Sequence, residues 1–236
     1  FLLTLNNVLN NQDTFMSLYK QYNEGNRSIA LIDRLSRKSE DRQDDILSSE
    51  LYNIVLDRKS EFDIKIYERA KYYFAKKGLK NDDTSPIKLF ISQYKESDNL
   101  GSAYMALIRF YASKKDTLQE IETYKNMIDI FLPSDIIPIS GKSSFLNSYA
   151  WRMSELGVNL EDALLKSVYS IKIVDSLGVD ISSKKPMLLD TKAEILWKMN
   201  RVDEALTVIN QAIEIDPEYQ YYQEQKTKFQ NSKKGN

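Results

Sequence analysis

Cysteine and histidine are both absent from the 236 residues. With no thiol there is no disulfide framework and no cysteine nucleophile. With no imidazole there is no Ser-His-Asp or Cys-His machinery, and no zinc site of thiolate or imidazole. Glycine and proline are scarce, at 7 and 5 residues, about half their usual share. That argues against an all-β chain, which needs turn residues every few positions, and against a disordered one. Charge of either sign is not in surplus, with 33 Lys and Arg against 34 Asp and Glu, and 14 basic against 12 acidic side chains in residues 1–80. Neither half has the charge of a polyanion binder, so nucleic acid is not an expected partner. No apolar run approaches the roughly 18 residues needed to cross a bilayer, so no membrane insertion is expected. Phe1-Leu2-Leu3-Thr4-Leu5 is too short for a signal core and has no basic flank. The chain opens on Phe and reads as a trimmed or mature fragment of something longer. The lack of cysteine fits the cytosol and equally a periplasmic domain with nothing to oxidise.

What is present is helical periodicity, almost from end to end. Apolar residues fall on one helix face around Phe15–Tyr22, Ile29–Leu35, Leu47–Val55 and Phe62–Phe74. Asn26-Arg27-Ser28 and Asp44-Asp45 are start signals, the acids lying at the positive helix end. Lys76-Lys77-Gly78 reads as a stop, with Gly78 expected in a left-handed cap. Ser85 is the expected cap of the next helix, with Pro86 at its first position. Pairs follow: Tyr104–Tyr111 with Leu118–Phe131, Phe145–Leu156 with Leu160–Val174, and Leu188–Met199 with Val202–Ile215. Ser176–Pro186 reads as a polar connector. Asp216-Pro217 breaks the chain before a terminal helix around Tyr219–Phe229. The expected fold is all-α, an array of antiparallel helix pairs, with residues 1–95 an irregular helical region and 96–236 helical repeats closed by a capping helix.

The last pair resembles a tetratricopeptide repeat. It runs from Leu188 through Ala193, Trp197, Asn200, Ala205 and Ala212 to Asp216-Pro217. The small residues let helices approach closely. Asn200 stands where the family usually has glycine, and asparagine is the next best residue for a left-handed turn. A weaker copy lies upstream in Asn147-Ser148-Tyr149-Ala150-Trp151, Leu156-Gly157 and Glu161-Asp162-Ala163-Leu164. A third unit, Ala103 to Pro133, keeps the helix pair but little of the signature. Ala163 and Ala205 are 42 residues apart, against a family period of about 34, so Ser176–Lys185 carries an insertion.

The chain as a whole resembles the helical region that follows a thioredoxin-like domain in certain bacterial thiol-disulfide proteins. On that resemblance Leu2-Leu3-Thr4-Leu5 would end the preceding domain's last helix. It implies a thioredoxin-like domain in cis and a periplasmic or otherwise extracytoplasmic address. No CxxC is present, so no redox residue carries over.

Three motifs bear on chemistry. Gly141-Lys142-Ser143 looks like the end of a phosphate loop, but Ile136 stands where the first glycine belongs, and Pro133 and Pro138 deny the preceding strand. The plainer reading is a loop glycine followed by a serine cap for a helix at Phe145. Asn81-Asp82-Asp83-Thr84-Ser85 offers oxygens to a hard cation, but lacks the alternating spacing and distal glutamate of a calcium loop. Glu120 with Glu122, and Glu61 with Asp63, are carboxylate pairs two residues apart, which on a helix do not face one another. No cofactor or metal is expected.

Tyrosine is abundant, at 15 residues against 9 Phe and 2 Trp. A tyrosine buries its ring while wetting its hydroxyl, so it suits helix seams and binding grooves alike. Tyr104, Tyr111, Tyr149, Trp151 and Trp197 are the candidate partner-binding residues; packing in helix seams is the competing reading. Tyr219, Tyr221 and Tyr222, near Lys226 and Lys228, read as part of a cap over the last repeat, since the net charge disfavours nucleic-acid stacking. The expected function is a non-catalytic helical-repeat module that binds a protein or peptide. The alternatives are a homo-oligomerisation domain and an enzyme built from carboxylates.

Overall fold

The computed structural model describes residues 14–135, 137–177 and 184–234. The opening Leu2-Leu3-Thr4-Leu5 segment and most of the Ser176–Pro186 connector lie outside the described residues. Within them the fold is all-α and no strand occurs. The helices are α1 (Phe15–Asn23), α2 (Ile29–Asp41), α3 (Asp45–Asp57), α4 (Ile64–Gly78), α5 (Ser85–Gln93), α6 (Leu100–Ser113), α7 (Thr117–Phe131), α8 (Ile139–Leu156), α9 (Leu160–Ser176), α10 (Lys185–Lys198), α11 (Val202–Ile215) and α12 (Gln220–Lys234). A short 3-10 turn, Leu79–Asn81, follows α4. The chain divides into two compact units, Phe1–Thr123 and Tyr124–Asn236. The division falls inside α7; the change of sequence character lies earlier, near residue 95.

In unit one, α1 to α4 share a core of Leu18, Tyr22, Ile32, Leu35, Leu51, Tyr52, Val55 and Tyr73. The starts of α1 and α3 are satisfied locally. Thr14 Oγ1 accepts from Ser17 N, and Asp44 Oδ1 accepts from Leu47 N at 3.0 Å. The tyrosines explain their own abundance. Tyr52 is fully buried and its hydroxyl donates to Glu40 Oε2 at 2.9 Å, while Tyr22 donates to Glu50 Oε1 at 2.5 Å. Lys76 Nζ lies 2.7 Å from the other Glu40 oxygen. Each ring fills a seam and each hydroxyl ends on a carboxylate, so neither ring nor polar tip is wasted. Burial, with Glu40 close by, raises the Tyr52 hydroxyl well above its ordinary value. A second core, Ala75, Ile87, Phe90, Ala103, Leu107 and Tyr111, joins α4, α5 and α6.

Two expected boundaries move. Gly78 is not left-handed; it is the last helical residue of α4, at φ −54°, and the left-handed residue is Asp82, at φ 60°. Glycine is needed at 78 for room. A Cβ there would stand 2.8 Å from Asp83 O and 3.0 Å from Pro86 Cγ. Gly78→Ala should therefore destabilise unit one by about 1–2 kcal/mol, overpacking outweighing alanine's better helix propensity. Urea unfolding followed by circular dichroism measures this, and an unchanged or higher midpoint would count against it. The α5 cap is Thr84, not Ser85, with Pro86 in the first turn. Ser85 N instead donates to Asp83 Oδ1 at 2.8 Å.

In unit two, α8 packs on α9, α10 on α11, and α10 also on α8 and α9. Short turns make the partners antiparallel. Gly157 and Asn200 both take the left-handed conformation, at φ 67° and φ 62°, and end α8 and the α10 turn. Ala163, Ala193, Ala205 and Ala212 are fully buried, as close helix approach requires. Helix α8 starts six residues before the expected Phe145, because Pro138 precedes it as cap. Gly141, Lys142 and Ser143 are thus inside the helix, neither phosphate loop nor capped loop. Lys142 Nζ donates to Leu132 O, and Ser143 and Ser170 bond each other in the α8–α9 seam.

Candidate functional site

The site of greatest chemical interest lies where α12 packs on α10 and α11. Pro186 falls in the first turn of α10, where its missing N–H costs nothing. The α10 pattern then puts Leu189, Ala193 and Leu196 into a core completed by Val208, Ile209 and Ala212 of α11 and by Tyr222 and Phe229 of α12. Asp190 and Glu194 are one turn apart on α10, so their carboxyls share a face. Asp190 is 5 % exposed and Glu194 7 %. Lys228 of α12 reaches back: its Nζ lies 2.6 Å from Glu194 Oε2 and 3.1 Å from Gln225 Oε1. The same ammonium stands 4.2 Å from the centre of the Trp197 ring, a cation–π geometry. Trp197 Nε1 donates to Ser232 Oγ at 2.9 Å. All of these polar contacts but Lys228 to Gln225, which lies within α12, tie α12 to α10.

Asp190 is the anomaly. Its Oδ1 is buried without a hydrogen-bond partner. Burial, reinforced by the Glu194 carboxylate, raises its pKa to about 7; Lys228 and the Tyr221 hydroxyl pull the other way. Burial therefore favours the neutral form of this carboxyl well above the ordinary carboxylate range. Burial, with Asp190 nearby, also pushes the hydroxyls of Tyr221 and Tyr222 up to about 12.

A second feature of unit two is a cavity of about 230 Å³ lined by Lys125, Ile128, Asp129, Tyr149, Asp162 and Lys166. Tyr149 donates to Asp162 Oδ2 at 2.6 Å, and Lys166 Nζ lies 3.6 Å from Asp162 Oδ1. In unit one a cavity of about 370 Å³ is lined by Leu18, Gln21, Ser28, Ala30, Leu31 and Arg34. The Asn81–Ser85 loop spends its carboxylates locally, Asp82 on Lys114 at 2.5 Å and Asp83 on the Ser85 amide. Among the described residues no group of three or more acidic side chains is placed to hold a metal ion, and no helix is long and apolar enough to cross a membrane.

The expected partner-binding aromatics divide between the two units. Tyr104 and Tyr111 belong to unit one and are 4 % and 6 % exposed; Tyr149, in unit two, is fully buried. These three are core residues, because helical spacing that suits a groove suits a seam equally. Tyr149 fills the seam beside Tyr124, ring centres 5.9 Å apart. Trp151 and Trp197 are half-buried, and Trp197 is already engaged by Lys228 and Ser232. Asp190 and Glu194 were missed at the sequence level. Their signal was an acid one turn from another, set directly against Leu188-Leu189 on an apolar face. Neither a family model nor a curated protein matches this chain, so the roles of these residues rest on their own chemistry.

Proposed function

We propose that the chain is a non-catalytic helical-repeat module that holds a segment of another protein, tetratricopeptide-like in its second half, and the helical part of a larger thioredoxin-like protein. The observation that carries this reading is the α10–α11 pair. Fully buried Ala193, Ala205 and Ala212 and left-handed Asn200 stand where such a repeat needs small residues and a tight turn. Trp151, half-buried on α8, remains the available aromatic anchor.

A peptide-display selection against the chain tests the reading. The expected result is an enriched motif whose affinity falls at least tenfold in Trp151→Ala, with helicity unchanged. No enrichment, or equal binding by the variant, would remove the anchor and the reading with it. The carboxylate-enzyme alternative has one observation in its favour, the Asp190–Glu194 pair with its raised pKa. Asp190, however, lines neither cavity described above and sits beneath α12, where a substrate has no approach while that helix is docked.

A further inference from the structure

We propose that α12 is a proton-controlled latch on the α10–α11 face: it is held most tightly while Asp190 is neutral, and loss of that proton loosens it. Three observations converge. First, the contact combines an apolar anchor with polar ties to α10. Helix α12 inserts Tyr222 and Phe229 into the core, packs Tyr221 against it, and is tied to α10 through Lys228 to Glu194 and Trp197 to Ser232. Second, a joint precedes it. Helix α11 ends at Ile215, and Asp216-Pro217 separates it from α12, which begins at Gln220, so the cap can leave without unwinding α11. Third, Asp190 lies at this contact with one oxygen unpartnered. The cation opposite it, Lys228, already serves Glu194 and Gln225.

The charge count gives the direction. With Asp190 neutral, Glu194 and Lys228 balance. With Asp190 ionised, two buried carboxylates share one ammonium, and an anion lies out of water with an oxygen unsatisfied. Opening α12 returns both carboxylates to water. The groups that act on Asp190 are Glu194 from its own helix and Lys228 and Tyr221 from α12, while Tyr222 of α12 in turn feels Asp190. Helices α8, α9 and α11, which also pack on α10, place no charged group among them. The latch stands whether or not unit two carries a partner. Its opening bares Leu189, Leu196, Val208 and Ile209 of the α10–α11 core.

A carboxyl that ionises near pH 4 when wet and near 7 when covered makes the open fraction climb across that interval and level off above it. Hydrogen exchange of the whole chain, read by mass spectrometry over Gln220–Lys234 and corrected for intrinsic rates, measures it. Between pH 5 and pH 7.5 the opening of α12 should rise at least tenfold, with α2 and α3 as internal references. Asp190→Asn should hold the change below twofold, and Glu194→Gln should leave a clear rise. No pH dependence in the parent chain, or the same dependence in Asp190→Asn, overturns the proposal. Should Asp190→Asn fail to fold, Trp197 emission in the Trp151→Phe chain gives a second reading. A shift across the same interval supports the latch, and a flat titration overturns it.

Discussion

Asp190→Asn should stabilise unit two at pH 8 by several kcal/mol, by about 1 kcal/mol at pH 5, and hardly at all below pH 4. The direction is opposite to what removing a charged, helix-positioned residue ordinarily does. The folded pKa of Asp190, about 7, lies above the value of about 4 it has in an unfolded chain. Between those two values the folded state binds a proton that the unfolded state has lost, so unfolding releases a proton and rising pH favours unfolding. The stability that the neutral carboxyl contributes is complete below pH 4 and falls through the interval to about pH 7. Above that the loss is complete, at about 4 kcal/mol for a shift of about three units. Asparagine has nearly the same shape as the neutral acid and never ionises, so it keeps the acid-side stability at all pH values. The difference between parent and variant isolates this group from the carboxylates whose pKa is lowered, such as Glu61 beside Arg58 and Glu204 beside Arg201. Those are exposed and make their stability at high pH, the reverse sign. Urea midpoints of parent and variant at half-unit steps from pH 4.5 to 8 measure the divergence. Parallel curves would mean that Asp190 is ionised in the fold throughout.

The helices were legible in the sequence because amphipathic spacing reports burial directly, and Asn200 was legible because few residues tolerate positive φ. What stayed hidden has common physical causes. The start of α8 was missed because Ile139-Ser140-Gly141-Lys142-Ser143-Ser144 carries almost no apolar period. Its serines nevertheless pack in a helix seam, Ser143 against Ser170, with Ser144 and Ser148 bonding back to the carbonyls one turn earlier. Hydropathy reads such residues as loop. Gly78 was misplaced because a glycine kept for close approach and one kept for a left-handed turn are the same letter. Leu118, expected on an apolar face, is among the most exposed apolar side chains. That Tyr104, Tyr111 and Tyr149 are buried was hidden for a related reason, since burial depends on the neighbouring helix and spacing describes only one. The Asp190–Glu194 pair is a tertiary property altogether. It becomes unusual only when Lys228, 34 residues beyond Glu194, brings α12 over it.

Phe229→Ala should cost about 3–5 kcal/mol in the stability of α12 and its contact with the α10–α11 pair. Phe229 is fully buried, the deepest α12 side chain in a core with Leu189, Ala193, Leu196, Val208 and Ala212. Its ring centre lies 5.7 Å from that of Trp197. Removing the ring takes away its transfer free energy and leaves a cavity among alanines, which have little side chain to move into it. Because α12 has Tyr222 as its other buried side chain, the helix loses much of its apolar hold, while Lys228–Glu194 and Ser232–Trp197 are polar contacts partly open to water. Such contacts are worth about 1 kcal/mol or less where water competes. The expected result is local: exchange over Gln220–Lys234 approaches that of an unprotected helix, and Trp197 emission moves to the red. Unit one keeps its urea midpoint, because its core shares no residue with this one. The Asp190 proton should then come off at lower pH than in the parent chain, since the cover that keeps it dry is gone. Proton control and apolar anchoring act on the same helix, so a Phe229→Ala chain that retained the full pH dependence of the parent would separate the two and place the burial of Asp190 on α8 and α9 instead.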